Sequence, residues 1–243
     1  MDQLGLATFT SPAIGAGSGV QWDVTAGGIT EDVKAAILLY SASVSDDTPI
    51  THGRVGLTLF NAEASVKRNS LCTLARDGLS TPDCRGTAGL AMRVPRASAF
   101  GTQYDLANEF VAQIAGGLRF ETTFDPLVQT KGIALLFAGA NMRAFGQTIV
   151  APTTLQNADA GSTNPSDVRF QPDLLVVFAK DGDVSGGQSN NAMMPVGFVK
   201  RGTGTPQVSF FCDWADATEP SEADGEVVSD AGRQATHGLE LLR

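Results

Sequence analysis

Hydrophobic residues in this chain fall in short runs that are separated by segments rich in Gly, Pro, Asp and Thr. The clearest run, Leu174 to Phe178, comes directly after Pro172 and Asp173. Proline lacks a backbone N–H donor, so Pro172 suits the entry to a strand rather than its interior. The run is rich in β-branched and aromatic residues and too short for an independent helix. It therefore predicts a fully buried strand.

Earlier apolar runs at Ala35 to Tyr40 and Ile133 to Ala138 predict buried strands of the same kind. Near the N-terminus, Leu6 to Thr10 and Val20 to Val24 are shorter candidates, and the second alternates with Val20, Trp22 and Val24 on one face. The glycine-rich segment Gly15 to Gly19 joins them. These features predict a hairpin with a loose tip.

Helix and strand patterns compete between residues 105 and 124. Leu106, Phe110 and Ile114 recur at helical spacing, and Gly116 would end such a helix. The residues from Leu118 to Phe124, however, alternate between apolar and polar or small side chains. A turn at Gly116 and Gly117 would supply the positive φ angles of a two-residue hairpin loop, so the pattern favours a hairpin.

Three strand candidates recur in the same order and at nearly constant spacing, which indicates a domain-scale duplication. The matched pairs are 35–40 with 174–178, 54–58 with 195–199, and 67–72 with 207–212. We therefore predict a first β unit at residues 1–152, a linker at 153–168, and a second, incomplete β unit at 169–243 packed on the first. The expected fold is all-β, a β-sandwich or jelly-roll-like architecture with an internal pseudo-duplication and long loops.

Charge and composition narrow the classes of partner. The chain has 243 residues, 17 Lys and Arg, a net charge of −9 and a pI near 4.6. Nucleic-acid binding requires basic residues to neutralise phosphates, so we expect no nucleic-acid partner. No apolar run approaches the roughly 20 residues of a membrane-spanning helix, so we expect no membrane span. The N-terminal residues lack the pattern of a signal peptide, which predicts synthesis in a cytoplasm.

The cysteines indicate neither a disulfide framework nor a zinc site. Cys72, Cys84 and Cys212 are irregularly spaced, form no C-x-x-C pair and have no nearby histidine. Cys72 and Cys212 lie in apolar, strand-like runs, where buried free thiols are common. We expect no metal and no cofactor.

The strongest candidate for surface chemistry is the segment Asp213-Trp214-Ala215-Asp216. Two carboxylates beside an aromatic ring could bind a sugar, or could flank one as in a glycoside hydrolase. The alternative is a strand end followed by an acidic loop. Trp22 could likewise stack on a sugar, or pack in the core. Because neither a G-x-S-x-G nor an H-E-x-x-H motif is present, we expect no enzymatic activity.

The stretch from Phe170 to Phe178 resembles a pattern of tailed-bacteriophage and prophage structural proteins. In that pattern a G-F-x-P-D segment precedes an apolar strand and recurs in pseudo-repeats, although Arg169 here stands in place of the glycine. Residues 117–124 resemble a second element of the pattern, and Gly197-Phe198 and Ser229 to Gln234 occupy similar places. The resemblance covers about half of the chain.

The resemblance implies a non-enzymatic virion component, made in the host cytoplasm and displayed as capsid decoration or on the tail. Its partners would be other virion proteins, and closed symmetry predicts a homo-oligomer, with a trimer as one arrangement. The alternative is a receptor- or carbohydrate-binding adhesion module of a tail fibre or spike. In that case the partner would be a host-surface glycan, with Trp214, Asp213, Asp216 or Trp22 as the binding surface.

Overall fold

A computed structural model describes residues 2–42, 52–62, 67–76, 83–89, 91–96, 103–146, 173–178, 192–193, 196–200, 207–214 and 223–229. These residues form strands and turns without any helix, and every strand pair among them is antiparallel. The prediction of an all-β, sandwich-like fold is therefore confirmed. The boundary predicted at 153–168 lies outside the described residues.

In chain order the described strands are β1 (Gln3–Thr10), β2 (Gln21–Thr25), β3 (Val33–Ser41), β4 (His52–Asn61), β5 (Lys67–Arg76), β6 (Asp83–Ala88), β7 (Met92–Pro95), β8 (Tyr104–Ile114), β9 (Gly117–Thr122), β10 (Lys131–Ala138), β11 (Leu174–Phe178), β12 (Ala192–Met193), β13 (Val196–Lys200), β14 (Gln207–Trp214) and β15 (Ala223–Ser229). Within the described ranges they make three sheets. A six-stranded sheet has the order β1-β10-β3-β4-β5-β6, and a four-stranded sheet has the order β2-β9-β8-β7. In the third sheet, β11 pairs with β13, and β14 pairs with β13, β12 and β15.

The main core lies between the six-stranded and four-stranded sheets. Alternation along each strand sends one set of side chains inward, as in Ala7 and Phe9 of β1 or Leu118 and Phe120 of β9. The largest fully buried side chains of this core are Phe120, Leu38, Met92, Leu106, Leu118 and Leu136. The two sheets thus form a sandwich whose inner faces supply the hydrophobic stabilisation.

A row of alternating rings and glycines crosses the inner side of the six-stranded sheet. The register places Phe9, Gly132, Tyr40, Gly56 and Cys72 opposite one another on successive strands. A Cβ atom at Gly56 would meet the Tyr40 ring, and one at Gly132 would meet the Phe9 ring. The glycines therefore make room for the two aromatic rings, and Cys72 is buried, as its sequence context predicts.

The predicted N-terminal hairpin is wrong. β1 pairs with β10 in one sheet and β2 pairs with β9 in the other, so the segment between them crosses from sheet to sheet. Its tip is held in place, because the backbone N–H of Gly17 donates to Asp125 and that of Gly19 donates to the carbonyl of Thr122. The glycine pattern marked a turn correctly but carried no information about the partner strand.

The predicted hairpin between residues 105 and 124 is confirmed, with a shifted turn. β8 pairs with β9, and Ile114 lies opposite Gly117. The two loop residues are therefore Ala115 and Gly116, not Gly116 and Gly117. Gly116 has φ of 72°, the left-handed conformation that favours glycine.

The two halves of the predicted duplication form meanders of the same order. β3, β4, β5 and β6 are neighbours in sequence and in the sheet, and β11, β13, β14 and β15 repeat this order, with β12 beside β14. Their registers differ, since Gly56 lies opposite Cys72 whereas Gly197 lies opposite Ser209 and not Cys212. The matched segments thus occupy equivalent strands, but the third match is offset from the pairing.

The prediction that Leu174 to Phe178 is a fully buried strand is wrong. β11 pairs only with β13 among the described strands, so it is an edge strand, and Leu174 and Leu175 are exposed. A short apolar run cannot distinguish a strand covered on both faces from one covered on a single face. Ile133 and Leu39 in the other two apolar runs are exposed for the same reason.

Candidate functional site

The candidate site is the side of the six-stranded sheet that points away from the four-stranded sheet, here called the outer face. Strand alternation and register place the following side chains on it: Leu4, Leu6 and Thr8 of β1; Ile133, Leu135 and Phe137 of β10; Ala35, Ile37 and Leu39 of β3; Val55, Leu57 and Leu59 of β4; Asn69, Leu71 and Thr73 of β5. Most of these side chains are apolar. A sheet face of this composition requires a cover or a partner.

One half of the outer face, the covered half, is formed by β4, β5 and Ile37 of β3. Leu57 and Leu71 form a buried cluster with Val196 of the third sheet. Phe178 of β11 and Phe198 of β13 pack against this cluster. The second meander therefore supplies a second core, on the opposite side of the six-stranded sheet from the first.

The other half, the open half, is formed by β1, β10 and the neighbouring positions of β3. Leu4 and Leu6 are each 66% exposed, Ile133 is 45% exposed and Leu39 is 39% exposed. Leu6 lies opposite Leu135, and Ile133 lies opposite Leu39, so these side chains adjoin one another across the strands. The open half is a continuous exposed apolar surface.

The open half is also free of acidic side chains at its regular strand positions. β1 has no charged residue, the outer positions of β3 are Ala35, Ile37, Leu39 and Ser41, and Lys131 is the charged outer residue of β10. The chain as a whole has a net charge of −9. An apolar surface without acidic side chains can approach another acidic protein without strong like-charge repulsion.

Trp22, one of the predicted sugar-binding residues, packs into the main sandwich. Its ring centroid lies 5.8 Å from that of Phe9 and 5.3 Å from that of Phe120. Its indole N–H donates to Oδ1 of Asn108 over 3.2 Å. The ring is only partly exposed, and its contacts correspond to the core alternative raised by the sequence.

Two of the other predicted binding residues, Asp213 and Trp214, lie at the end of β14. The backbone of Trp214 pairs with Ala192 on one side and Ala223 on the other, and Asp213 pairs with Met193 and Asp224. Asp216 lies outside the described residues. The structure thus places Asp213 and Trp214 within a sheet, and it does not bring them near Trp22 through any described pairing.

A buried charge cluster, which the sequence did not predict, lies between the sheets at the inner side of β4. Arg54 Nη2 donates to Asp105 Oδ2 over 2.8 Å, and Arg96 Nε donates to Asp105 Oδ1 over 3.1 Å. The Arg54 and Asp105 side chains are both buried. Nearby, the guanidinium of Arg93 stacks on the Tyr104 ring. The carboxylate accepts from two arginines, which ties β4 and β8 to the residue that follows β7.

Two titrating groups have shifted pKa values for clear reasons. Burial raises the pKa of the Tyr40 hydroxyl, which donates to the carbonyl of Arg93 and accepts from its backbone N–H. At the surface, the hydrogen bond from Arg119 lowers the pKa of Asp23. Neither group lies on the outer face, so both are structural features of the sandwich.

In the part of the chain that the structure describes, His, Cys, Asp and Glu side chains form no group of three or more that could hold a metal ion. The same residues include no helix of the length and hydrophobicity needed to cross a membrane. No protein-family model, curated protein or solved structure matches this chain.

Proposed function

We propose that this chain is a non-enzymatic structural protein of a tailed bacteriophage or prophage virion, located on the particle surface as capsid decoration or as a tail component. It acts by binding other virion proteins. The proposal is supported by the resemblance of residues 170–178 to structural proteins of such phages and by the open half of the outer face.

The open half is the main structural support for the proposal, because its exposed apolar side chains can bind another protein. Leu4, Leu6, Ile133 and Leu39 project from a hydrogen-bonded sheet, so their backbone positions are fixed before a partner arrives. Burying apolar surface yields about 25 cal/mol per Å². A preorganised face loses little conformational entropy on binding, so more of this energy remains as affinity.

The intramolecular interface on the covered half is an example of the contact that we propose for the open half. Phe178, Val196 and Phe198 of one β meander pack on Leu57 and Leu71 of another. A virion protein that presents a β-sheet face of similar composition would pack on the open half in the same way. Such an interface must bury roughly 1,000 Å² or more in total to be stable.

The test is a mass-spectrometric inventory of purified particles from the phage or lysogen that encodes the chain, followed by rebinding of purified protein to particles that lack it. The diagnostic variant is Ile133→Asp, which places a charge on the open half. Leu127→Asp is the matched control, because Leu127 is also 45% exposed but lies in the segment between β9 and β10. We expect Ile133→Asp to lose particle binding and Leu127→Asp to retain it.

Absence of the chain from purified particles would overturn the proposal, as would equal rebinding of both variants. Binding to a glycan array that is lost in Trp214→Ala and retained in Ile133→Asp would instead favour the carbohydrate-binding adhesion module. Retained particle binding in Trp214→Ala supports the proposal that protein contacts dominate.

A further inference from the structure

The first strand of the protein has an unusual free edge. Within the described residues, β1 pairs with β10 on one side and with no strand on the other. It is eight residues long and carries neither a charge nor a proline. An exposed, uncharged edge strand is a template for pairing with another strand, and natural proteins usually block such edges with charges, prolines or bulges.

Most of the other sheet edges carry these blocking residues, and the exceptions, β11 and the two-residue β12, are shorter than β1. The edge strand β2 contains Asp23, β7 contains Arg93 and Pro95, and β15 contains Asp224 and Glu226. The edge strand β6 contains Asp83 and Arg85. Strand β11 also lacks charge, but it is only five residues long. β1 is therefore the longest unprotected edge among the described strands.

The backbone groups that point out from this edge can be identified. The N–H of Ser11, just after β1, donates to the carbonyl of Thr130 on the β10 side. Because backbone donors and acceptors alternate sides along a strand, those of Leu4, Leu6, Thr8 and Thr10 point toward the free edge. The same four residues project their side chains onto the outer face, and Leu4 and Leu6 are 66% exposed.

The inner side of β1 is packed, so the strand is held rigidly. Ala26 and Ile29 lie against Gly5, where a Cβ atom would collide with both. The side-chain carbonyl of Gln3 accepts from the backbone N–H groups of Thr30 and Glu31. A partner strand would therefore meet an edge that is already ordered and would not have to order it on binding.

We propose that β1 is a self-association edge, and that two copies of this chain pair their β1 strands antiparallel across a twofold axis. A strand paired antiparallel with its own copy is self-complementary, as a twofold interface requires. The pairing joins two six-stranded sheets into one continuous sheet and brings two uncharged segments of an acidic chain together. The inference goes beyond the proposed function and does not depend on it.

The outward backbone groups restrict the register of this pairing. Outward-pointing residues must lie opposite one another to exchange hydrogen bonds. The proposed pairing places Leu6 opposite either Leu6 or Thr8 of the second copy, two of the registers that meet this condition. With Thr8 as the opposing residue, all four outward residues of each strand are paired. In both registers the two Leu6 side chains are direct or diagonal neighbours on the outer face.

The experiment is to measure the mass of the full-length chain by sedimentation or light scattering over a range of concentrations. We expect a dimer for the wild type and a halved mass for Leu6→Lys, which places two like charges side by side across the interface. Ile133→Lys is the matched control, since it adds the same charge to the same face away from the edge, and it is expected to remain a dimer.

A second variant tests the backbone pairing itself. Thr8→Pro removes an N–H group that points to the free edge, and proline is tolerated on an edge strand when its nitrogen faces outward. We expect a folded monomer, with the circular dichroism of the wild type and half its mass. This result would separate loss of edge pairing from loss of fold.

A wild-type monomer at all concentrations would overturn the inference, including the case in which another segment of the same chain covers the edge. It would also be overturned if Leu6→Lys and Thr8→Pro remained dimers. Dissociation by Ile133→Lys, or by Leu175→Lys on the edge strand β11, would likewise overturn it, because the interface would then lie elsewhere. A dimer that fails to bind particles would contradict the proposed function alone, so the two proposals fail independently.

Discussion

Leu39 and Leu57 lie directly opposite each other on neighbouring strands, and both side chains point to the outer face. Leu57 is 4% exposed and Leu39 is 39% exposed. The difference arises because Val196, Phe178 and Phe198 of the second meander cover the half of the face that contains Leu57. Two residues of the same type and strand environment thus differ in burial only because of a segment more than a hundred positions away in the chain.

The polarity of the inner side chains also differs between the two halves. Under the open half, the inner positions of β1 and β10 are mostly apolar, as in Ala7, Phe9 and Leu136. Under the covered half, β4 contributes the polar residues Arg54 and Thr58 as well as Phe60 to the interior. The inner side of β4 is thus partly polar, and its outer residue Leu57 is buried by the second meander. This contrast can be tested by substitution, beginning with the largest effect.

Removal of the buried carboxylate should be the most damaging change. Asp105→Asn leaves Arg54 buried without its ionic partner, and breaking a buried pair in this way costs about 3–5 kcal/mol. The free energy of unfolding from urea titration measures the loss. Asp125→Asn is a control, because Asp125 is exposed, and it should change stability far less.

Truncation at the paired leucines tests the comparison directly. Leu57→Ala opens a cavity under the second meander and should lower the free energy of unfolding by about 2–5 kcal/mol. Leu39→Ala removes a side chain that already contacts solvent, so its cost should be about 1 kcal/mol or less. Equal losses for the two variants would show that the second meander does not stabilise the covered half.

Adding a methyl group at Gly56 should disturb the aromatic row that both halves share. The new Cβ would collide with the Tyr40 ring, and overpacking of this kind costs about 1–3 kcal/mol. Gly27→Ala is the matched control, since no atom lies within 4 Å of a Cβ at that position. Thermal unfolding of both variants should show a lower midpoint for Gly56→Ala only.

The Tyr40 hydroxyl gives the smallest effect and a pH dependence. Its pKa is raised in the folded state, so the native protein holds this proton more tightly than the unfolded chain does. The corresponding stability is fully present below the usual pKa of 10.0 and is lost as the pH rises above it. The loss is at most about 1.4 kcal/mol per pH unit.

The variant Tyr40→Phe isolates this contribution. At pH 7 to 9 it should be less stable than the wild type by about 1 kcal/mol, since the Arg93 backbone loses its hydrogen-bonding partner. Above pH 10 the difference should shrink, because only the wild type has the phenol to ionise. Urea titrations of both proteins across this pH range provide the measurement, and a constant difference would contradict the assignment.

Local patterns predicted where most strands lie in the sequence, but not always which strands pair with each other. Alternation between Leu118 and Phe124 and the glycines at 116 and 117 identified the β8–β9 hairpin, since a two-residue turn fixes adjacent strands without help from the rest of the chain. The segments at Leu6 to Thr10 and Val20 to Val24 were also strands, yet they belong to different sheets. The intervening loop is long enough to allow either outcome, so sequence alone could not choose.

The exposure of the residues in the candidate site could not be predicted from the sequence either. Leu4, Leu6 and Ile133 were within apolar strand candidates or next to them, but their exposure depends on how much of the outer face the second meander covers. The Arg54–Asp105 pair had no local signal, because its members lie on strands 51 positions apart and meet only across the sandwich.

The sequence by itself determined that the chain forms antiparallel β structure, that it is acidic, and that similar strand runs recur in a fixed order, because these properties depend on residue type and local spacing. The tertiary structure decided which apolar faces are covered, which edge remains unpaired, and which charges are neutralised inside. Each of these depends on contacts between residues distant in the chain, and the free energy of such contacts is not encoded in any single segment.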